Sequence, residues 1–392
     1  MLALLLARQR VPVVLLEAHG DFHREFRGDS LHPAIMEVLD EIGLADRVLA
    51  ELPHRKVRQV TFPTRPPTAI QFSRLLRTRF PFITLMPQSR FLEFLTAEAA
   101  RYPWFELIMR ANVRELIVEG GAIGGVRYRG PAGWGEVRAR LTVGADGRFS
   151  QIRRLSGARP IVSSSPIDVL WFRLPRIATD PEGVVGGAGH GHMLLMADRG
   201  DHWQIGSIIA KGEFPRLRAA GLDSLRAVLV DLVPWLAERI HHLADWKQVS
   251  LLSVACDTLP KWWRPGLLMI GDAAHVMSPV AGNGINYAVQ DAVAAANLLA
   301  EPLAAGHLTD AHLAAIQRRR QWPTRITQAV VGQIQDRALA RMLRPDSRAP
   351  NARVVRALTR IPVLPYLPLR LAAFGLRPEH VRLSPPQRPS GQ

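Results

Sequence analysis

Residues 267–291 hold the chain's densest set of groups suited to binding chemistry. An apolar run, Leu267 to Gly271, continues as Gly271-Asp272-Ala273-Ala274-His275, then Ser278-Pro279, then Gly282-Asn283-Gly284-Ile285-Asn286. A strand here delivers Asp272 to the carboxyl edge of a sheet, and a glycine-containing loop hands the chain directly to a helix. The first turn of such a helix presents unsatisfied N–H groups and a partial positive charge, which suits a phosphate or the anionic edge of a ring. Gly282 and Gly284 let the backbone approach a flat ring closely. Asp272 is poorly placed to face a phosphate and better suited to accept hydroxyl hydrogens from a polyol chain. His275 and Tyr287 read equally well as packed side chains or as groups that meet a substrate.

Two further positions carry the same style. Glu17 closes the apolar run Val11 to Leu16, at the strand end where doubly wound sheets bind ligands. Gly144-Ala145-Asp146-Gly147-Arg148 follows another strand, although Asp146-Gly147 alone could be an ordinary turn pair. His190 and His192 lie in a Gly-rich stretch without a carboxylate or cysteine set, so the expectation is a polar loop and no metal. The single cysteine, Cys256, reads as a small core filler and excludes an internal disulfide framework. No Gly-x-Ser-x-Gly nucleophile elbow is present, which leaves hydrolase chemistry without support.

These groups need an α/β scaffold to position them. Helices are expected over Leu2–Arg10, Leu31–Leu49 (with Gly43 as a stop), Gln88–Arg101, Leu222–Ile240 and Gly284–Leu303. Val113–Val118, Ala122–Tyr128 and Glu136–Val143 alternate with Gly turns as a small antiparallel sheet. Val169–Leu174, His192–Ala197 and His202–Ile209 supply further strands. The resulting division is residues 1–160 as the first part of a nucleotide-type domain, with interleaved strands near 57–85, and 161–258 as a substrate domain on a mostly antiparallel sheet. Residues 259–343 return to the first domain with long helices, and 344–392 form an Arg/Pro-rich tail with helical character near Leu369–Phe374.

The formal charge of +16 raises the question of nucleic acid. Only Lys56, Lys211, Lys247 and Lys261 are lysines, and the arginines are spread along the chain instead of forming a patch, so no nucleic-acid partner is expected. No run approaches the length of a spanning helix, and Met1–Ala7 lacks the features of a signal peptide. The expectation is a cytoplasmic protein, with peripheral membrane contact through Ile361–Leu376 as a minor reading.

The run Gly271–Asp291 resembles the second flavin-binding motif of the FAD-dependent aromatic hydroxylases of the para-hydroxybenzoate hydroxylase type. Gly144–Arg148 resembles that family's Asp-Gly motif, and the likeness extends to Gly375-Leu376-Arg377-Pro378-Glu379-His380. It implies a doubly wound FAD-binding, Rossmann-like domain with an inserted substrate domain and a C-terminal helical tail. It further implies that Asp272 contacts the ribityl and pyrophosphate region and that Pro279, Gly282, Asn283, Gly284, Ile285 and Asn286 lie beside the isoalloxazine. Asp146 and Gly147 would serve both flavin and nicotinamide, and Glu17 would hold the adenosine ribose. Arg27, in Arg24-Glu25-Phe26-Arg27-Gly28, and Gln88 resemble two more flavin contacts.

The activity so implied is a monooxygenase in which NADH or NADPH reduces FAD. Dioxygen then adds at ring carbon C4a, and the hydroperoxide passes an electrophilic oxygen to a small phenol-like ring. The family's Gly-x-Gly-x-x-Gly turn is expected before the first helix, so the sequence as given starts inside or just after it. A misassigned start, a truncation and a non-catalytic remnant with weakened FAD binding are the alternatives. A flavin-dependent reductase of isoprenoid chains stays open. A halogenase is disfavoured, because His202-Trp203-Gln204-Ile205-Gly206 stands where a Trp-x-Trp-x-Ile-Pro element would be sought.

Overall fold

The computed structural model describes residues 1–23, 30–62, 68–74, 76–278, 282–334 and 363–382. The chain opens with α1 (Leu2–Ala7), β1 (Val13–Glu17), β2 (Ser30–Leu31), α2 (Pro33–Glu41) and α3 (Ala45–Glu51). Next come β3 (Arg55–Val57), β4 (Gln59–Phe62), β5 (Thr68–Gln71), β6 (Ile83–Leu85), α4 (Gln88–Ala100) and β7 (Phe105–Met109). A meander follows, β8 (Asn112–Glu119), β9 (Ala122–Gly130) and β10 (Gly133–Arg138), leading to β11 (Thr142–Gly144) and α5 (Gln151–Leu155). The central part holds β12 (Ile161–Pro175), β13 (Val184–Gly189), β14 (His192–Asp198), β15 (His202–Ala210), α6 (Phe214–Ala219) and α7 (Leu222–Leu232). The chain continues through β16 (Ser250–Thr258), β17 (Trp263–Arg264), β18 (Leu267–Met269) and β19 (His275–Val276). Among the described residues there follow α8 (Gly284–Ala305), α9 (Asp310–Ile334) and α10 (Val363–Phe374).

The fold is α/β. Two parallel pairs form its nucleotide-type part: β1 with β7, in register Val13 to Phe105, and β11 with β18, in register Gly144 to Met269. Helix α8 is the common support. Its small residues Ala292, Ala295 and Ala296 are buried, so Val289 and Val293 pack on the side of α1, α2 and α4 while Ala292 and Leu299 pack against Leu268 and Ile270 of the β18 segment. A helix apolar all round is buried all round. The second layer is an eight-stranded sheet, order β19-β16-β12-β15-β14-β13-β4-β5, antiparallel except where β13 meets β4. Alternate residues Leu170, Phe172, Leu194, Met196, Trp203 and Ile205 cover one face, closed by Leu225 and Leu229 of α7; this is the two-residue period of strands put to use.

Three expectations change. The helix expected over residues 31–49 does stop at Gly43, which adopts φ 72° after α2 and returns its N–H to the Asp40 carbonyl at 2.9 Å, but a second helix, α3, follows it within the same span. The helix expected to reach Ile240 stops at Leu232, where Val233 is extended (φ −140°) ahead of Pro234, a pairing that disfavours helical geometry. The polar loop expected at His190 and His192 is a tight turn at His190 (φ 51°) followed at once by β14. His192 is buried, hydrogen-bonds Ser207 Oγ at 3.0 Å and has its pKa pushed down to about 4 by burial. His190 pairs with Asp231 at 2.6 Å. Among the described residues no helix is long and apolar enough to cross a membrane.

Candidate functional site

The two glycine-bearing motifs meet at one sheet edge. Parallel pairing of β11 with β18 sets Gly144 beside Met269, and the ladder runs one step further through Ile270 N–H to the Gly144 carbonyl at 3.0 Å. Beyond this point β11 turns into Ala145-Asp146-Gly147 and β18 into the short 3-10 turn Gly271–Ala273. Gly271 has φ 57°, and a Cβ there would stand 3.0 Å from Ala288 Cβ of α8, so glycine is required by both conformation and packing.

The 3-10 turn is held from behind. Asp291 of α8 accepts Gly271 N–H at 3.0 Å and the His275 ring at 2.6 Å on one oxygen, and Arg320 Nε of α9 at 2.9 Å on the other. All three side chains are fully buried. Burial by itself would raise the Asp291 pKa; His275 and Arg320 outweigh it and hold the carboxyl below the usual range. Arg320 also reaches Glu379 at 3.4 Å and the Arg377 carbonyl at 3.0 Å. His275 is therefore a packed, structural side chain. So is Tyr287, whose hydroxyl bonds Thr327 Oγ1 at 2.5 Å.

Within the buried run 267–278, Asp272 alone is half-buried. Its Oδ1 would lie 3.9 Å from a Cβ on Gly284, which puts the carboxylate at the entrance to α8. The N-terminus of α8 has no side-chain cap and no acidic residue in its first turn. Gly282, at φ 62°, lies against His32 and Ser30, whose side chains would stand 3.4 Å from a Cβ placed there. Asn286 is fully buried; its side-chain carbonyl accepts from Gln290 at 3.1 Å, while its Nδ2 has no hydrogen-bond partner among the described residues. An uncapped helix start, a buried amide donor without an acceptor and a carboxylate at the rim fit a flat, anionic, hydroxyl-bearing ligand such as a flavin.

The other expected residues fall as follows. Ser30 pairs with Leu85 across β2 and β6, and Gln88 opens α4 three residues after Leu85. Glu17 ends β1 on the other parallel pair, opposite Met109, with its side chain accepting His19 N–H at 2.8 Å. Asp146 spends both oxygens on α5, accepting Ser150 Oγ at 2.5 Å and Ile152 N–H at 3.0 Å. It shapes the turn, and Gly147 beside it, at φ 79°, has open space where a side chain would stand. Ile285 and Gly284 lie in the first turn of α8. Arg27 and Pro279 lie outside the described residues.

A cavity of about 350 Å³ adjoins this loop, walled by Met277, Ser278 and Asn283, by β12 and β16, and by α9 from Thr327 to Gln333. Its volume falls in the range of small-molecule sites. Sequence reasoning missed this cavity and Arg320. Within Arg318-Arg319-Arg320 nothing marks the third arginine as the buried one, and cavity walls drawn from three distant segments leave no local signal.

Residues 1–330 match the family model described as FAD binding domain. The chain is 32% identical over 323 residues, 82% of this chain and 77% of the relative, to a 6-methylpretetramide 4-monooxygenase of Streptomyces rimosus. It is 29% identical over 196 residues, 47% of this chain and 49% of the relative, to digeranylgeranylglycerophospholipid reductase 1 of Methanopyrus kandleri. Among solved structures, pqsL of Pseudomonas aeruginosa, a probable FAD-dependent monooxygenase, superposes with a TM-score of 0.72 at 22% identity, covering 88% of this chain and 93% of that one, a likeness of fold. Matched over most of its length, the chain belongs to the FAD binding domain family and is an FAD-dependent oxidoreductase of the aromatic-ring monooxygenase group.

Proposed function

We propose that this protein hydroxylates a phenolic or related aromatic ring with NADH or NADPH and dioxygen, using FAD held where β18 hands over to α8. The carrying observation is the juxtaposition of that hand-over with the cavity: Ser278 and Asn283 belong at once to the loop entering α8 and to the cavity wall. Bound FAD supplies the redox chemistry, taking electrons from the nicotinamide and activating dioxygen.

The chain's own residues do the rest. Asp272 would accept hydroxyl hydrogens of the ribityl chain, while the uncapped N–H groups from Gly284 to Asn286 and the amide Nδ2 of Asn286 would serve the electron-rich edge of the ring. Glu17 and Gln88 supply outer contacts, and Gly147 keeps the adjoining turn open. Met277, Val331 and Ala329 line the cavity with apolar surface that excludes water from the reacting centre. This reading carries with it a cytoplasmic, small-molecule enzyme without a nucleic-acid partner.

The test is reconstitution with FAD followed by oxygen uptake and product analysis with a panel of phenols. Nicotinamide-dependent formation of a ring-hydroxylated product is the expected result. A protein that binds FAD and takes up oxygen without oxygenating any ring, yet saturates an isoprenoid double bond, would replace this reading with the reductase one that the Methanopyrus relative represents.

A further inference from the structure

Most polar side chains around the cavity are already committed. Ser163 Oγ donates to the Cys256 carbonyl at 3.4 Å, Thr327 is engaged with Tyr287, and Gln328 Nε2 donates to the carbonyls of Asp257 and Val276 at 3.2 and 3.0 Å. Ser165 differs. It lines the cavity where β12 loses register against β16, between Ser164 and Asp168. It is 3% exposed, and its Oγ has no hydrogen-bond partner among the described residues. Leaving a buried hydroxyl unsatisfied is costly, and such groups are rare in folded proteins unless a ligand or water completes them.

The charge of the wall is the second observation. The protein carries +16 overall, yet among the described residues the cavity lining includes no arginine, lysine, histidine or carboxylate. A carboxylate placed there would find no cation among the described lining residues, and an ammonium no anion, both disfavoured. A neutral oxygen meets no such penalty.

We infer that the cavity selects an uncharged aromatic molecule bearing a carbonyl or hydroxyl oxygen, with Ser165 as the hydrogen-bonding anchor, and that it rejects the carboxylate analogue. Calling that molecule the substrate rests on the hydroxylase reading above. Anchoring its oxygen at Ser165, on the sheet wall, directs the opposite end of the ring system toward Ser278 and Asn283. Ser165 thereby acts on specificity and orientation.

The FAD-loaded protein is titrated calorimetrically, without nicotinamide, with a hydroxynaphthamide and the matching hydroxynaphthoate, which share shape and differ in charge. The amide is expected to bind about 100-fold more tightly than the carboxylate. Ser165→Ala should weaken the amide about 10-fold without changing the carboxylate or the circular dichroism, and Ser165→Thr, which keeps the hydroxyl, should restore most of the loss. Equal affinity for the two probes, an amide affinity indifferent to Ser165→Ala, or no binding of either probe overturns the inference. Selective amide binding with no oxygenated product once nicotinamide and dioxygen are added would sink the hydroxylase reading while the selectivity stood.

Discussion

Asp272 and His32 illustrate opposite uses of a titratable side chain. Asp272 is the half-buried acid at the entrance to α8, and a hydrogen bond from a ligand to an ionised group is worth more than a neutral one. Asp272→Ala should raise the FAD dissociation constant about 10-fold or more, read by flavin fluorescence titration, with secondary structure unchanged. His32 is set apart by its burial. It is 3% exposed beside Gly282, and burial, partly offset by the nearby backbone of Ala372 and Gly282, pushes its pKa from 6.5 down to about 4. The unfolded chain therefore takes up a proton between those values that the folded chain refuses. Stability is present in full above pH 6.5 and falls as the pH drops toward 4, by up to about 3 kcal/mol from this group. Urea melts at neutral and at mildly acid pH should show that fall in the parent and a shallower one in His32→Gln.

At the scale of the element, the loop and first turn of α8 separate folding from binding. Gly282 needs its positive φ of 62°, so Gly282→Ala should cost about 1–2 kcal/mol, visible as a lower Tm even without FAD. Gly284 has no such constraint, and among the described residues a Cβ there meets only Asp272 Oδ1 at 3.9 Å. Gly284→Ala should raise the stability of the FAD-free protein slightly through helix propensity and yet weaken FAD retention by crowding the approach to Asp272. Differential scanning of both variants with and without FAD separates the two effects. Opposite signs in the FAD-free protein are expected; equal destabilisation would show that Gly284 is structural.

For the molecule as a whole, the buried cluster of Asp291, His275, Arg320 and Glu379 ties together the Gly271 turn, α8, α9 and the chain after α10. The run Gly375–His380, noted in the sequence as a likeness, becomes a strap: Gln290 donates to the Phe374 carbonyl at 2.8 Å, Arg319 holds Glu379 at 2.8 Å and Asn297 donates to the His380 carbonyl at 2.8 Å. Removing one charge strands the others. Arg320→Met should cost about 3–5 kcal/mol, and combining it with Asp291→Asn should recover part of that loss, measured by denaturant unfolding as a double-mutant cycle. Because the Asp291 carboxyl is held below its usual range, this cluster's contribution is present at neutral pH and is lost on acidification below the ordinary carboxylate pKa.

Local pattern was enough for the parts of this protein that are local. The continuous Val/Leu run ending in Glu17, the small-residue helix from Gly284 and the strand into Gly271-Asp272 were legible because strand and helix periods and turn chemistry are written within a few residues. The stop at Gly43 was equally local and legible; that a second helix, α3, follows it at once was not. Only the tertiary structure decided that Asp146 turns its carboxylate into α5, that His275 and Tyr287 are packed, that the third of three adjacent arginines is buried, and that Ser165 stands unpaired at a cavity wall. Each of these depends on which distant segment arrives opposite the residue, and burial, hydrogen-bond partnership and charge compensation are properties of that meeting, carried by neither segment alone.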